Sequence, residues 1–226
     1  MSERKDITGA TEDIRFARSP TRSLVGNGRD RDGQRARVYR AEHKIHGPLG
    51  RDEQDTLTFR EVVETVREIE QTKWFQDASS NPLIHEATRD WNVTVGDGRR
   101  RKTGCAIPAM WEIRIPKGFR CVEVLVHELG HLIAPPDAAG HGPEWVEIYL
   151  DGLAAVGMGR RARDLAVEFE AAGVTGGMKP DYYLTVTPEI DLLTGRQKKA
   201  EQIRLLKEEI ADVPIEELTP EMLTLA

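Results

Sequence analysis

The amino-acid sequence predicts an α+β protein in which a small sheet accompanies several helices. Three observations predict this class. A strongly apolar segment with helical spacing occupies the centre of the chain, at 119–136. Two shorter segments before it alternate apolar and polar residues, as half-buried strands do. The predicted elements follow one another as helix, strand, strand, helix and helix, without an internal repeat, and this order with few strands is typical of α+β folds.

The chain of 226 residues has three predicted parts. Residues 1–34 lack hydrophobic periodicity and are predicted to form a disordered basic leader, since 1–51 carry twelve Lys and Arg against seven Asp and Glu. Residues 35–175 form the predicted core domain. Residues 176–226 are predicted to be a helical, acidic extension, because the tail from 188 carries five Lys and Arg against nine Asp and Glu.

Composition and charge exclude several classes of protein. No apolar run approaches the length that spans a bilayer, and the N-terminus lacks the apolar region of a secretory signal. We therefore expect a soluble, cytoplasmic protein whose two cysteines, Cys105 and Cys121, are free thiols. The net charge of −6 argues against general nucleic-acid binding, although the basic leader could contact nucleic acid or an acidic partner.

Two helices are predicted before the sheet. The first covers QRARVYRAEHKIHG and ends at Gly47-Pro48. In the second, apolar residues recur at helical spacing from Leu57 to about Phe75. Thr58 and Glu61 are placed as a capping box at its start, and one face of this helix should be buried.

Two strands are predicted next. Val93 and Val95 alternate with polar residues after Trp91, and a Gly-Asp-Gly turn follows. The second strand is MWEIRIP, residues 110–116, which would offer an edge for binding an extended substrate. The basic run 99–102 lies between them. We interpret it as a solvated hairpin end, with a DNA contact as the alternative.

The central segment FRCVEVLVHELGHLIAPP predicts a largely buried helix that ends at Pro135-Pro136. The next helix opens at Pro143, a favoured first-turn position, and another over about 160–172 closes the core domain. Beyond Gly176-Gly177, YYLTVTP is a strand candidate. LTGRQKKAEQIRLLKEEIADV then predicts a charged amphipathic helix, and Thr219-Pro220 the start of a last one.

The motif HELGH, at 127–131, predicts a metal site. Side chains at i and i+4 of a helix lie one above the other, so His127 and His131 can share one Zn²⁺. Glu128 is turned about 100° away, where it can reach a water beside the metal. An apolar helix is an unfavourable place for three ionisable side chains, and a metal explains them. The pattern is typical of a metal-assisted hydrolase with Glu128 as general base.

A third protein ligand is needed, because catalytic zinc usually has three besides water. The spacing HExxHxxGxxH would require His at position 137, where this chain has Asp. Two prolines and a glycine between His131 and His141 let the chain reverse, which favours His141. The alternatives are carboxylates: Asp137, Glu144, Glu147 and Asp151.

Other candidate residues have simpler interpretations. A phenol can stabilise a developing oxyanion, and Tyr149, Tyr182 and Tyr183 are candidates, although Tyr149 is better explained as core. The remaining histidines are interpreted as ordinary surface or packing residues: His43, His46 and His85.

HELGH followed after a long gap by HGPEW resembles the SprT-like branch of the zincin metalloproteases. Together with RDGQRARVYRAE at 31–42, it is also similar to a family of HExxH metallohydrolases from actinobacteria and their phages. The resemblance covers roughly 31–173. It implies a zincin-like fold with a sheet flanking the active-site helix. It also implies one catalytic Zn²⁺ on His127, His131 and His141, with Glu128 as the base.

The expected function is therefore that of a zinc-dependent hydrolase, a SprT-like metallopeptidase acting on a protein or peptide. The C-terminal zinc ribbon that many SprT proteins carry is absent, because the chain has only two cysteines. Two alternatives stay open. One is a metal-binding or regulatory protein without turnover, and the other is an ImmA-like protease that cuts a repressor and uses an acidic third ligand.

Overall fold

The computed structural model describes residues 32–46, 56–80, 92–99 and 101–193. Several predictions fall outside these ranges: the leader over 1–31, the roles of Trp91 and His85, and both helices predicted beyond residue 193. The described chain begins inside the predicted leader, because Asp32–Gln34 form a turn that leads into the first helix.

Three helices precede the sheet: α1 (Arg35–His46), α2 (Phe59–Glu70) and α3 (Lys73–Ser79). The predicted capping box is confirmed, since Thr58 accepts from the Glu61 amide and the Glu61 side chain accepts from the Thr58 amide. The single helix predicted as far as Phe75 is wrong. Thr72 has an extended backbone and its side chain accepts from the amide of Phe75, so it ends one helix and caps the next.

The sheet has three short strands: β1 (Thr94–Gly96), β2 (Cys105–Ile107) and β3 (Glu112–Arg114). Their order is β1-β3-β2, with β3 parallel to β1 and antiparallel to β2. The predicted strand MWEIRIP therefore exists as β3, and Ile113 is fully buried. Its predicted role as a substrate-binding edge is wrong, because β3 pairs on both sides. The edge strands of this sheet are β1 and β2, and β2 was not predicted.

Helix α4 (Val122–Ile133) is the centre of the core, as the sequence predicts. All of its residues are buried except His131, which is partly buried. It packs against β2 and β3 on one side and against α2, α3 and α5 on others. Helix α5 (Pro143–Leu153) begins at the predicted proline. The chain then bends through Gly157, at φ +88°, into α6 (Gly159–Ala171), which packs on α1.

The segment after α6 returns to the core. Tyr182–Thr185 form a helical turn, α7, so the strand predicted for YYLTVTP is wrong. Tyr183 is fully buried, and its hydroxyl accepts a hydrogen bond from the amide of Met178 at 2.8 Å. A buried aromatic side chain followed by an exposed leucine, Leu184, suits a helical turn as well as a strand, so alternation over a few residues did not separate them.

The described chain is thus α+β, mostly helical with one small sheet, as predicted. Both cysteines are free thiols, also as predicted. Within the described ranges, every helix is too short or too polar to cross a bilayer.

Candidate metal centre

Three histidines meet at the C-terminal half of α4. His127 and His131 lie one turn apart on this helix, and His141 lies in the loop that ends at α5. Each offers a ring nitrogen, and these atoms all lie within 4.8 Å of one another. The cluster could hold a metal ion. The loop from Pro135 to Gly142 brings His141 back to the helix, which is the return that the sequence predicts.

Two carboxylates orient the rings from outside the cluster. Glu42 on α1 lies 2.7 Å from Nδ1 of His127, and both oxygens of Asp32 lie 3.0 Å from Nδ1 of His141. These bonds leave Nε2 of both rings facing inward. A carboxylate on the outer nitrogen of a histidine is the usual outer partner of a metal ligand, because it fixes the tautomer and raises the basicity of the inner nitrogen.

The inner nitrogens fit a metal by two observations. Nε2 of His131 lies 3.2 Å from Nε2 of His127. Two ligands about 2.0–2.1 Å from one tetrahedral Zn²⁺ are separated by about 3.3 Å, so this spacing suits a shared ion. Nε2 of His141 is buried and has no hydrogen-bond partner among the described residues. A buried nitrogen without a partner is costly, and a metal would satisfy it.

Two aromatic side chains, Trp145 and Tyr149, cover one side of the histidine cluster. The ring of Trp145 on α5 lies 4.7 Å from that of His127, 4.9 Å from that of His131 and 4.7 Å from that of His141. Tyr149 stacks on Trp145, with ring centroids 5.0 Å apart, and lies 5.3 Å from the ring of His127. Gly130, inside HELGH, permits this packing, since a Cβ there would lie 3.3 Å from Nε1 of Trp145. The rings of Trp145 and Tyr149 therefore exclude water from that side of the cluster.

Burial and the neighbouring carboxylates together shift the pKa values of the three imidazoles. It lowers the pKa of His131 to about 2, with further lowering by His127 and His141. Burial also lowers the pKa of His141, against the opposing effect of Asp32. For His127, burial favours the neutral ring, but the carboxylate of Glu42 outweighs it and raises the pKa. The neutral form that His131 and His141 therefore hold is the one that binds metal.

Glu128 lies beside the cluster, with its carboxylate close to the start of β2. It accepts a hydrogen bond from the amide of Ala106. Gly104 allows the approach, because a Cβ there would lie 2.6 Å from Oε1 of Glu128. Burial raises the pKa of Glu128, while His127 and the Ala106 amide oppose the rise. A carboxylate held by a hydrogen bond, with a raised pKa and facing a cleft, suits a general base.

The cluster opens into a cleft of about 970 Å³. His131, His141 and Glu128 line it, and β2 and the loop after α4 form much of its walls. Tyr39 presents its ring there and stacks on His127 at 5.9 Å, with 40% of the residue exposed. The histidine cluster and Glu128 are therefore open to the same cleft.

The structure places the alternative third ligands elsewhere. Asp137 and Glu144 are exposed. Glu147 and Asp151 line a separate cavity of about 350 Å³ beside Trp74. Of the five candidates, only His141 belongs to the cluster.

The other candidate residues from the sequence, three tyrosines and His43, lie outside the histidine cluster. Tyr149 is buried and hydrogen-bonded to Glu42, so its interpretation as core is confirmed. Tyr182 is exposed, and Tyr183 packs under the segment after α6. His43 is exposed, as predicted.

The sequence reasoning missed Asp32, Glu42 and Tyr39. All three lie in the segment 31–42 that contributed to the resemblance, but no local pattern assigns a role to any of them. Asp32 is separated from its imidazole partner by 109 positions and Glu42 by 85. Such pairings follow from the fold and not from spacing.

Comparison with protein-family models, with curated proteins and with solved structures finds no match to this chain.

Proposed function

We propose that the protein is a zinc-dependent hydrolase, and specifically a metallopeptidase of SprT-like type on a zincin-like scaffold. One observation carries the proposal. Three imidazoles converge on one site, and the carboxylate of Glu128 lines the same open cleft as His131 and His141. Three protein ligands with an open side and an adjacent base are the components of a catalytic zinc site.

In this proposal His127, His131 and His141 hold the ion, and Asp32 and Glu42 keep two of the rings in place. Zinc, when bound, acts as a Lewis acid that polarises a carbonyl and lowers the pKa of water to about 7. Glu128 accepts a proton as a water oxygen bonds to the carbonyl carbon of the substrate. It then passes that proton to the departing amine as the C–N bond breaks.

The extended substrate would bind along β2. This strand pairs with β3 on one side, and no other strand within the described residues covers its second edge. Cys105 and Ala106 of β2 line the cleft, and the amide of Ala106 bonds to Glu128. A peptide that adds to this edge by main-chain hydrogen bonds would therefore pass beside the base. This assignment replaces the edge predicted for MWEIRIP.

The ImmA-like alternative requires an acidic third ligand, and the third member of the cluster is His141. We therefore favour the SprT-like assignment. A metal-binding protein without turnover would use the same metal site. The two hypotheses differ in whether Glu128 acts as a general base.

Glu128→Gln separates these functions. With one equivalent of zinc bound, we expect the wild type to cleave casein and the variant to lose at least about 100-fold in rate, because the general base is gone. The variant should keep its zinc, since Glu128 is not a ligand. Equal rates in the two proteins would contradict the role of Glu128 as general base. A zinc-loaded wild type without any activity on casein or on DNA-bound proteins would favour the metal-binding protein without turnover.

A further inference from the structure

The cleft carries an excess of positive charge. Besides the histidines, its charged lining residues are Asp32, Glu128, Arg35, Arg101 and Lys102. Both carboxylates already have partners, since Asp32 bonds to His141 and Glu128 accepts from Ala106. These hydrogen bonds do not cancel the carboxylate charges, so the lining carries three positive side chains against two negative ones.

Arg101 and Lys102 are not neutralised by neighbours. Within the described part of the chain neither forms an ion pair, whereas Arg99 pairs with Asp97 and Arg114 with Glu112 at 2.8 Å. The residues of the basic run 99–102 therefore have different surroundings in the structure. Arg99 belongs to the turn, whereas Arg101 and Lys102 line the cleft. Arg99, Arg101 and Lys102 are all exposed, as the interpretation of a solvated segment predicts, but the predicted hairpin is wrong, because β1 and β2 each pair with β3 and not with each other.

Arg35 supplies positive charge from the opposite element. It lies on the first turn of α1, 5.3 Å from the ring centroid of Tyr39, and its side chain is hydrogen-bonded to that residue. The Tyr39 ring in turn stacks on His127, with ring centroids 5.9 Å apart, so Arg35 lies beside the histidine cluster. Arg35 and Arg101 therefore act on the reaction site from α1 and from the segment before β2.

This local charge contrasts with the whole molecule, whose net charge is −6. A cleft with an excess of positive charge, on a molecule whose net charge is negative, concentrates ligands that carry negative charge. Three cations are few for a nucleic acid, because proteins that bind it commonly neutralise on the order of 6–10 phosphates. The free edge of β2 beside them suits an extended polypeptide backbone.

We propose that Arg35, Arg101 and Lys102 select acidic polypeptide segments, with Asp or Glu on the side of the scissile bond that faces the start of β2. The proposal rests on the proposed peptidase site and names its substrate class. Charge complementarity of this kind contributes mainly to specificity and to the association rate, and it weakens with salt.

The test measures binding, so that it does not depend on turnover. Zinc-loaded Glu128→Gln protein is titrated into fluorescein-labelled peptides that differ only in carrying Glu and Asp or their amides, Gln and Asn. At low salt we expect the acidic peptide to bind at least ten-fold more tightly than its amide twin. The ratio should shrink as NaCl is raised to several hundred millimolar.

Variants identify which cations cause the preference for the acidic peptide. Arg101→Gln with Lys102→Gln, made in the Glu128→Gln background, should bring the ratio of affinities close to one. The matched control removes two cations that do not line the cleft, Arg99→Gln with Lys117→Gln, and should keep the ratio. Arg35→Gln should lower it in part, and far-ultraviolet circular dichroism verifies that each variant is folded.

Three results would overturn the inference: equal binding of both peptides, a preference that survives the Arg101 and Lys102 changes, or displacement of the acidic peptide by a single-stranded oligonucleotide at lower concentration than by unlabelled acidic peptide. The last result would assign the cleft to nucleic acid. Failure of the peptidase proposal has a different signature, because zinc-loaded wild type would then leave both peptides uncut even where the acidic one binds.

Discussion

The orientation of the imidazoles depends on residues far from HELGH in the chain. Asp32 and Glu42 each bond to the outer nitrogen of a histidine, and these bonds turn the inner nitrogens toward one point. Without them, a ring could rotate or protonate on the wrong nitrogen, and the three donors would no longer converge. The candidate metal centre thus depends on five residues and not on three.

Asp32→Asn tests this dependence. The amide keeps the shape of the side chain but loses the charge that raises the basicity of His141, so we expect zinc affinity to fall about 10–100-fold. Affinity is measured by competition with a fluorescent zinc chelator. Asp137→Asn, an exposed change in the same return loop, serves as the control. Equal affinities in the wild type and Asp32→Asn would show that the carboxylate plays no part in metal binding.

The approach of the chain before β2 to Glu128 depends on Gly104. A methyl group there would lie 2.6 Å from Oε1 of Glu128, which is inside any allowed contact. We therefore expect Gly104→Ala to displace the base and to lower kcat/KM about 10–100-fold, with zinc retained. Gly33→Ala is the matched control, because a Cβ at Gly33 meets no heavy atom within 4 Å. Wild-type activity in Gly104→Ala would contradict this placement of the base.

At the residue scale, the sequence predicts the part of the site that lies close together in the chain. The i, i+4 spacing places His127 and His131 together, and the prolines before His141 indicate a reversal. Asp32 and Glu42 are not predictable in this way, because a carboxylate on one helix has no periodic relation to a ring on another. Their partners are set by the packing of the N-terminal segment against α4 and its return loop.

Helix α5 carries a carboxyl group whose environment disfavours its charge. Asp151 lines the smaller cavity, one of its oxygens is buried without a hydrogen-bond partner among the described residues, and burial raises its pKa to about 6, with a further contribution from Glu147. The folded state therefore prefers the protonated carboxyl. Relative to the ordinary value of 3.8, this group contributes stability at low pH that is lost as pH rises through 6.

Asp151→Asn should remove this dependence. We expect the free energy of unfolding at pH 7 to rise by about 1 kcal/mol, because solvent screens this partly exposed group and reduces the about 1.4 kcal/mol per pKa unit that a fully buried one would give. The loss between about pH 4 and 6 should flatten. Urea unfolding from pH 4 to 7.5 measures both effects. Asp77→Asn, an exposed carboxyl on the rim of the same cavity, should leave the profile unchanged. An unaltered profile in Asp151→Asn would mean that the buried carboxyl is not the cause.

At the element scale, prediction succeeds where a segment is long and periodic. The bounds of α4 and the start of α5 follow from apolar periodicity and from proline. The prediction fails at short elements. Strand β2 has only three residues, Cys-Ala-Ile, which are too few to show alternation. Its pairing with β3 is set by the fold and has no signal in the sequence. The central position of β3 likewise depends on β2, so an edge role for MWEIRIP could not be excluded from the sequence.

At the scale of the whole molecule, the candidate site joins three distant parts of the chain. The segment 32–42, helix α4 and the loop before α5 each contribute a ligand or a residue that orients one. Gln34 strengthens the connection, since its side chain donates to the carbonyl of His141 at 3.0 Å and to that of Thr175 at 3.1 Å. A metal at the cluster would therefore stabilise the packing of the N-terminal segment on the core, and not only the helix that carries HELGH.

The fold class follows from the order of elements in the sequence, whereas the positive cleft does not. Arg35 and Arg101 are 66 positions apart in the sequence and line the same cleft only because the chain folds. The sequence shows the charges and the fold decides which of them face a substrate.

The central claim is that His127, His131 and His141 hold one divalent metal ion. Metal analysis by inductively coupled plasma mass spectrometry, on protein purified without chelator, tests it most directly. We predict about one equivalent of zinc in the wild type and in Glu144→Gln, and a large loss in His141→Ala. Less than about a tenth of an equivalent of any divalent metal in the wild type would contradict the claim. So would retention of zinc by His141→Ala together with its loss from Glu144→Gln.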